Sequence, residues 1–193
     1  MSSDWPLVGR ASELARVHDV IGSGGHVVLA GPAGVGKTRL ARETTDAFRS
    51  AGFATEWVIG TRAAAAIPFG AVASLLPPPM TRDTRSEPTV DTMVSIREAV
   101  MTRASGRGLV LTIDDAHSLD DATATLVQQL ATTTDVRMLV TLRTGEAAPE
   151  AVTALWKDGI AERLDLQRSP TRRRGIFSPG RWTAPSRNGP PGS

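Results

Sequence analysis

Gly31, Pro32, Ala33, Gly34, Val35, Gly36, Lys37 and Thr38 follow the spacing G-x-x-x-x-G-K-[ST], and every residue type in it suits the binding of a phosphate chain. Glycines let the backbone wind tightly enough to aim successive N–H groups at phosphate oxygens. A helix starting at Lys37 would offer its positive N-terminal end to the same anion. The Lys37 ammonium would reach the β- and γ-phosphates, and the Thr38 hydroxyl would help to coordinate Mg²⁺. Arg39, next in the chain, is counted with these nucleotide contacts. A second group completes the chemistry. The apolar run Leu109-Val-Leu-Thr-Ile ends in Asp114 and Asp115. Asp114 is the candidate for the magnesium shell and Asp115 for polarising an attacking water. The alternative is an acid cluster at a helix start, shared with Ser118, Asp120 and Asp121. Arg143 ends another run, Val140-Thr-Leu-Arg, where a guanidinium can sense a γ-phosphate through bidentate contacts or simply be a solvated surface charge. His117, two residues past Asp115, either shapes the water site or is a polar turn residue.

These residues need elements to position them. Residues 10–22 carry Leu14, Val17 and Ile21 at helical spacing, and Gly22-Ser-Gly-Gly ends that helix. His26 to Ala30 reads as a buried strand feeding the glycine turn, with a helix from Lys37 to Ser50. Phe53 to Ile59 is a second strand, Pro68 to Leu76 a short helix, and Pro77 through Pro88 a loop. Val90 to Ala104 is helical, with Val90, Met93, Val94, Ile96 and Val100 as packing positions. Leu109 to Ile113 is the third strand. Ser118-Leu-Asp-Asp has the capping-box pattern and opens a helix to Ala131. Val136 to Leu142 is the fourth strand, Pro149 starts a helix that Gly159 closes, and Ile160 to Leu166 is the fifth strand. Such alternation predicts an α/β fold of three layers: a five-stranded, mostly parallel sheet with helices on both faces.

The chain has 193 residues, room for one well-buried domain. With no cysteine, disulfide scaffolds, thiolate metal sites and cysteine nucleophiles are excluded. Three scattered histidines argue against a structural metal site. The N-terminus lacks the basic stretch and apolar core of a secretory signal, and the most apolar stretch, Ala63 to Leu76, is too short to span a bilayer. A cytoplasmic protein with no membrane contact is expected. Residues 167–193 hold six arginines and no acid, whereas residues 1–166 hold 16 basic and 20 acidic side chains. The basicity therefore belongs to a tail and not to the domain. That tail also has five Pro, four Gly and four Ser, a composition that cannot bury a core. It reads either as a natural disordered tail or as a reading frame that shifts after the fifth strand. The expected boundary puts a domain at 1–166 and the tail at 167–193. Only Lys37 and Lys157 are lysines among 22 basic residues, in a composition of the kind that GC-rich coding sequences give, so a retained lysine is informative.

Taken together, these residues resemble the nucleotide-binding domain of the STAND class of AAA+-related P-loop ATPases. More narrowly, they resemble the large ATP-binding LuxR-type transcriptional regulators of actinobacteria. The resemblance is carried by Pro6-Leu-Val-Gly-Arg10 with Glu13-Leu14, Gly31 to Thr38, Ala66-Ile-Pro-Phe-Gly70, Asp114-Asp-Ala-His117 with Leu119-Asp-Asp121, and Thr141-Leu-Arg143. It implies ATP and Mg²⁺ as ligands, and a role for Val8, Gly9 and Arg10 at the adenine and hinge side. It also implies a partner, either a further copy of the chain or a larger regulator. Members of that family continue into a helical lid, a winged helix, a helical-repeat sensor and a helix-turn-helix, none of which is recognisable here, so no DNA-reading element is assigned. The expected function is an ATP-binding domain, slow or inert in hydrolysis, of a truncated signal-transducing regulator. The alternatives are a self-standing AAA+ ATPase acting on DNA through its Arg-rich tail, and an inactive truncated product.

Overall fold

Short apolar runs separated by helices favour parallel pairing, because a helix that crosses back over the sheet lets the next strand start at the same end. The computed structural model, which describes residues 10–75, 90–104, 106–133 and 135–168, shows this arrangement. Five strands, β1 (Val27–Gly31), β2 (Ala54–Ile59), β3 (Leu109–Asp114), β4 (Arg137–Arg143) and β5 (Glu162–Asp165), form one sheet in the order β2-β3-β4-β1-β5. All four pairings are parallel. The phosphate-loop strand β1 thus lies between β4 and β5, with Gly31 in register with Arg143.

The strand period of two sorts the core into two layers. Val27 and Leu29 face α1 (Ala11–Gly22) and α2 (Lys37–Ser50), where they pack with Val17, Ile21, Leu40 and Ala41. Val28 and Ala30 face the opposite layer, built from α3 (Val90–Ala104), α4 (Asp121–Thr133) and α5 (Glu150–Lys157). There Ile96, Val100, Leu126, Leu130, Val152 and Leu155 are buried. Beneath the sheet, the Thr45 and Thr112 hydroxyls share a hydrogen bond of 2.7 Å that ties α2 to β3. Helices therefore cover both faces of the sheet. No helix among the described residues is long and apolar enough to cross a membrane.

Four local expectations need correction. The short helix expected from Pro68 to Leu76 is a 3₁₀ helix that starts only at Gly70 and is described to Leu75, with a separate 3₁₀ turn at Ala64–Ala66. Between them Phe69 has a φ of 59°, which an α-helix does not tolerate. Ser118 does not cap α4. It ends a 3₁₀ turn, Ala116–Ser118, and Asp120 caps the helix by accepting the Thr123 N–H at 2.8 Å and the Thr123 hydroxyl at 2.5 Å. Val94 is 46% exposed, because the buried stripe of α3 runs through Met93, Ile96 and Val100. Finally β5 is shorter than the run Ile160 to Leu166, since Ala161 is still held in the turn that follows α5, its N–H donating to the Leu155 carbonyl. Val8, Gly9, the side chain of Val90, and residues 76–89 and 169–193, with the expected loop and most of the expected tail, lie outside the described residues.

Candidate functional site

The glycine turn joins the C-terminal end of β1 directly to the first turn of α2. Two of its glycines are left-handed, Gly34 at φ 75° and Gly36 at φ 93°, a conformation that side chains resist. Gly31 is required for a different reason. A Cβ there would lie 2.4 Å from the Leu166 carbonyl oxygen, where the chain leaving β5 crosses the loop. Val35 is buried with Leu29 and Leu40 and pins the middle of the turn. Gly36 occupies the N-cap of α2 without a side-chain cap, and no acid stands in the first turn. The free N–H groups of that turn therefore suit an anion.

Lys37 is buried, and its Nζ donates to the carbonyls of Gly31 and Pro32 at 2.9 Å each. Burial pushes its pKa below the ordinary lysine range, and the Arg143 charge adds to this, while Asp115 and Asp114 act against it. The four charged groups singled out in the sequence therefore share one field. Thr38 Oγ1 donates to Asp114 Oδ1 at 3.0 Å, and Thr141 Oγ1 donates to the same oxygen at 2.6 Å. A buried carboxylate and a hydroxyl held together are hard oxygen donors of the sparse kind that suits Mg²⁺, which takes its remaining ligands from phosphates and water. The residues present fit that ion.

Asp115 sits just past β3 at φ 54°, a conformation that Asp tolerates better than most residues. Its N–H donates to Thr141 Oγ1 at 3.0 Å, and its carboxylate is 42% exposed. Gly60, at the end of β2, donates to the Asp114 carbonyl at 2.8 Å. A Cβ at Gly60 would meet the Asp115 carbonyl oxygen at 2.4 Å, so this turn needs a glycine beside it. His117 Nδ1 accepts the Arg143 N–H at 3.4 Å. The Arg143 guanidinium pairs with Glu146 at 3.6 Å. Asp115, His117, Arg143, Glu146 and Arg62 line one cleft of about 400 Å³.

Not every expected residue joins this group. Arg39 pairs with Glu43 at 3.5 Å on the outer side of α2. Pro32, Ala33 and Gly34 are exposed at the loop tip. Two residues matter more than the sequence reading allowed. Thr141 orients both acids at once, although the sequence assigns it no role beyond its place in the strand and in the Thr141-Leu-Arg143 resemblance. Arg10 is buried and donates to the Val35 carbonyl at 3.0 Å, to the Gln167 carbonyl, and to Glu13 at 3.0 Å. It thereby fastens the phosphate loop to the chain leaving β5.

Residues 6–142, well over half of the chain, match the AAA ATPase domain family. The chain belongs to that family. No curated protein matches it by sequence. Among solved structures, this AAA ATPase domain is similar to Cdc6p from Pyrobaculum aerophilum, with a TM-score of 0.58 and 16% identity over 86% of this chain and 48% of that one. It is also similar to AMPPCP-bound DnaA from Aquifex aeolicus, with a TM-score of 0.53 and 12% identity over 82% and 46% of the two chains. For the Pif1 helicase of Candida albicans the TM-score is 0.51 and the identity 17%, over 81% and 39%. At such identities the likeness is one of fold, and the AAA ATPase domain spans about half the length of these structures or less.

Proposed function

We propose that this domain binds Mg-ATP as a switch and hydrolyses it slowly, as part of a STAND-type, LuxR-like signal-transducing regulator. The observation that carries the reading is the 3.0 Å hydrogen bond from Thr38 to Asp114, with Lys37 in the field of both acids and Arg143. Lys37 exchanges its two carbonyl partners for phosphate oxygens, and the first turn of α2 supplies N–H donors to the same anion. Thr38 and Asp114 would hold a magnesium ion, which would supply charge neutralisation at the phosphates. Asp115, exposed at the mouth of the cleft, orients a water, and Arg143 meets the terminal phosphate. Gly31 to Gly36 wrap the phosphates, and Val8 and Gly9 contribute at the adenine side. The ATPase unit is taken as residues 1–166, and its partner is a further copy of the chain or a larger regulator.

Slow turnover follows from the site's openness. Phosphoryl transfer depends on positioning and charge stabilisation, and a water-exposed base forfeits much of both. Asp115 is also one methylene shorter than a glutamate, which limits its reach. The purified chain is expected to turn over below about 1 s⁻¹, the low end of typical enzymes, and Asp114→Asn should remove that activity. A faster steady rate that disappears in Asp114→Asn would contradict the switch and favour a self-standing ATPase. The six arginines and no acids of residues 167–193 support that second reading, in which the segment contacts DNA. DNA affinity that falls steeply with salt and is lost on deleting 167–193 would establish it.

A further inference from the structure

The Arg143 backbone N–H lies where the sheet gives out. Successive N–H groups of a strand point to opposite edges. The Thr144 N–H donates to the Gly31 carbonyl at 3.1 Å, toward β1, so the Arg143 N–H points toward β3. The β3–β4 register ends at Ile113 and Val140, and β3 turns out of the sheet at the left-handed Asp115. A strand neighbour for Arg143 is therefore missing, and His117 Nδ1 takes its place at 3.4 Å. The imidazole is 10% exposed and its Nδ1 lies 3.9 Å from Asp115 Oδ1. The same ring thus stands between the candidate base and the candidate sensor.

We propose that His117 is a positioning residue for recognition of the terminal phosphate, acting through the backbone of Arg143. Its Nδ1 serves as a substitute strand acceptor that fixes where the Arg143 side chain leaves β4 and enters the cleft. Without that acceptor the N–H is orphaned and the end of β4 loosens. The 43% exposed guanidinium, held otherwise by Glu146, then loses its aim. The consequence falls on the Arg143 contact to the γ-phosphate and not on the cradle around Lys37, which also holds the phosphates that ADP and ATP share. This inference rests on the reading of Arg143 as a γ-phosphate contact.

The test measures binding of ADP and of the β,γ-methylene analogue of ATP, each with Mg²⁺, to the full chain by calorimetry. The wild-type chain prefers the triphosphate. His117→Ala lowers that preference about fivefold or more, the scale of one orphaned backbone donor, while ADP affinity stays within about twofold of wild type, which reports an intact fold and cradle. His117→Asn, whose amide oxygen stands where Nδ1 stood, restores the preference. His117→Gln, whose oxygen reaches the place of Nε2, does not. A preference unchanged in His117→Ala, or Asn and Gln variants that behave alike, overturns the inference if Arg143→Met abolishes the preference. If the wild type shows no preference, or Arg143→Met keeps it, the γ-phosphate reading itself has failed and the inference falls with it.

Discussion

Thr141 concentrates the geometry of the site in one hydroxyl. It donates to Asp114 Oδ1 at 2.6 Å and accepts the Asp115 N–H at 3.0 Å, so the carboxylate beside Thr38 and the strained turn after β3 share a single support. Thr141→Val keeps the shape and removes both bonds. Leaving the Asp115 N–H without a partner is expected to cost about 1–3 kcal/mol in urea unfolding, together with a loss of Mg²⁺-dependent nucleotide affinity. Unchanged stability would show that the hydroxyl is dispensable. The grouping of Lys37, Thr38, Asp114 and Asp115 was legible because their types and spacing are those that phosphate binding would need. Thr141 was not, because a threonine in an apolar strand run satisfies β-propensity equally well. Arg10 was legible only through the resemblance of its Val8-Gly9-Arg10 box, since its acceptors are carbonyls at Val35 and Gln167, far away along the chain.

At the scale of elements, strands and long helices were readable because burial sets their pattern. The bounds expected for α2, Lys37 to about Ser50, are those found, with Gly36 before the helix and Gly52 just beyond it, both at positive φ. Elements set by tertiary contacts were not readable. Phe69 takes its left-handed conformation while its N–H donates to Asp120 Oδ1 at 3.1 Å, a side chain 51 positions away that also caps α4. His26 offers a test of how the strand starts are joined. Its Nδ1 accepts the Met138 N–H at 3.2 Å, linking the residue before β1 to β4. Burial holds its pKa below the ordinary 6.5, with a backbone contact to Ala131 acting weakly the other way. With a depressed folded pKa, the unfolded chain binds the proton more readily. The stabilisation is thus present above pH 6.5 and is lost as pH falls below it. In denaturant titrations between pH 7.5 and about 5, the wild-type midpoint should drop more steeply than that of His26→Asn, which keeps an acceptor but cannot titrate. Parallel slopes would refute this assignment.

At the scale of the whole molecule, the sheet order places the ends of β1, β3 and β4 side by side. This one feature brings together a loop, an acid pair and an arginine spread over more than a hundred residues, from Gly31 to Arg143. Sequence alternation made the parallel sheet and its two helical layers legible, whereas the register that sets Arg143 opposite Gly31 comes from the structure. What the proposed switch would act on is a property of partners, and single-chain periodicity carries no record of those. The central claim, that the Gly31–Thr38 turn binds Mg-ATP, is tested most directly by the melting temperature of the full chain with and without Mg-ATP. Ligand linkage gives about 2.7 kcal/mol of stabilisation at 100 times Kd. The account predicts a clear upward shift for the wild type and none for Lys37→Ala. An equal shift in both proteins would contradict it.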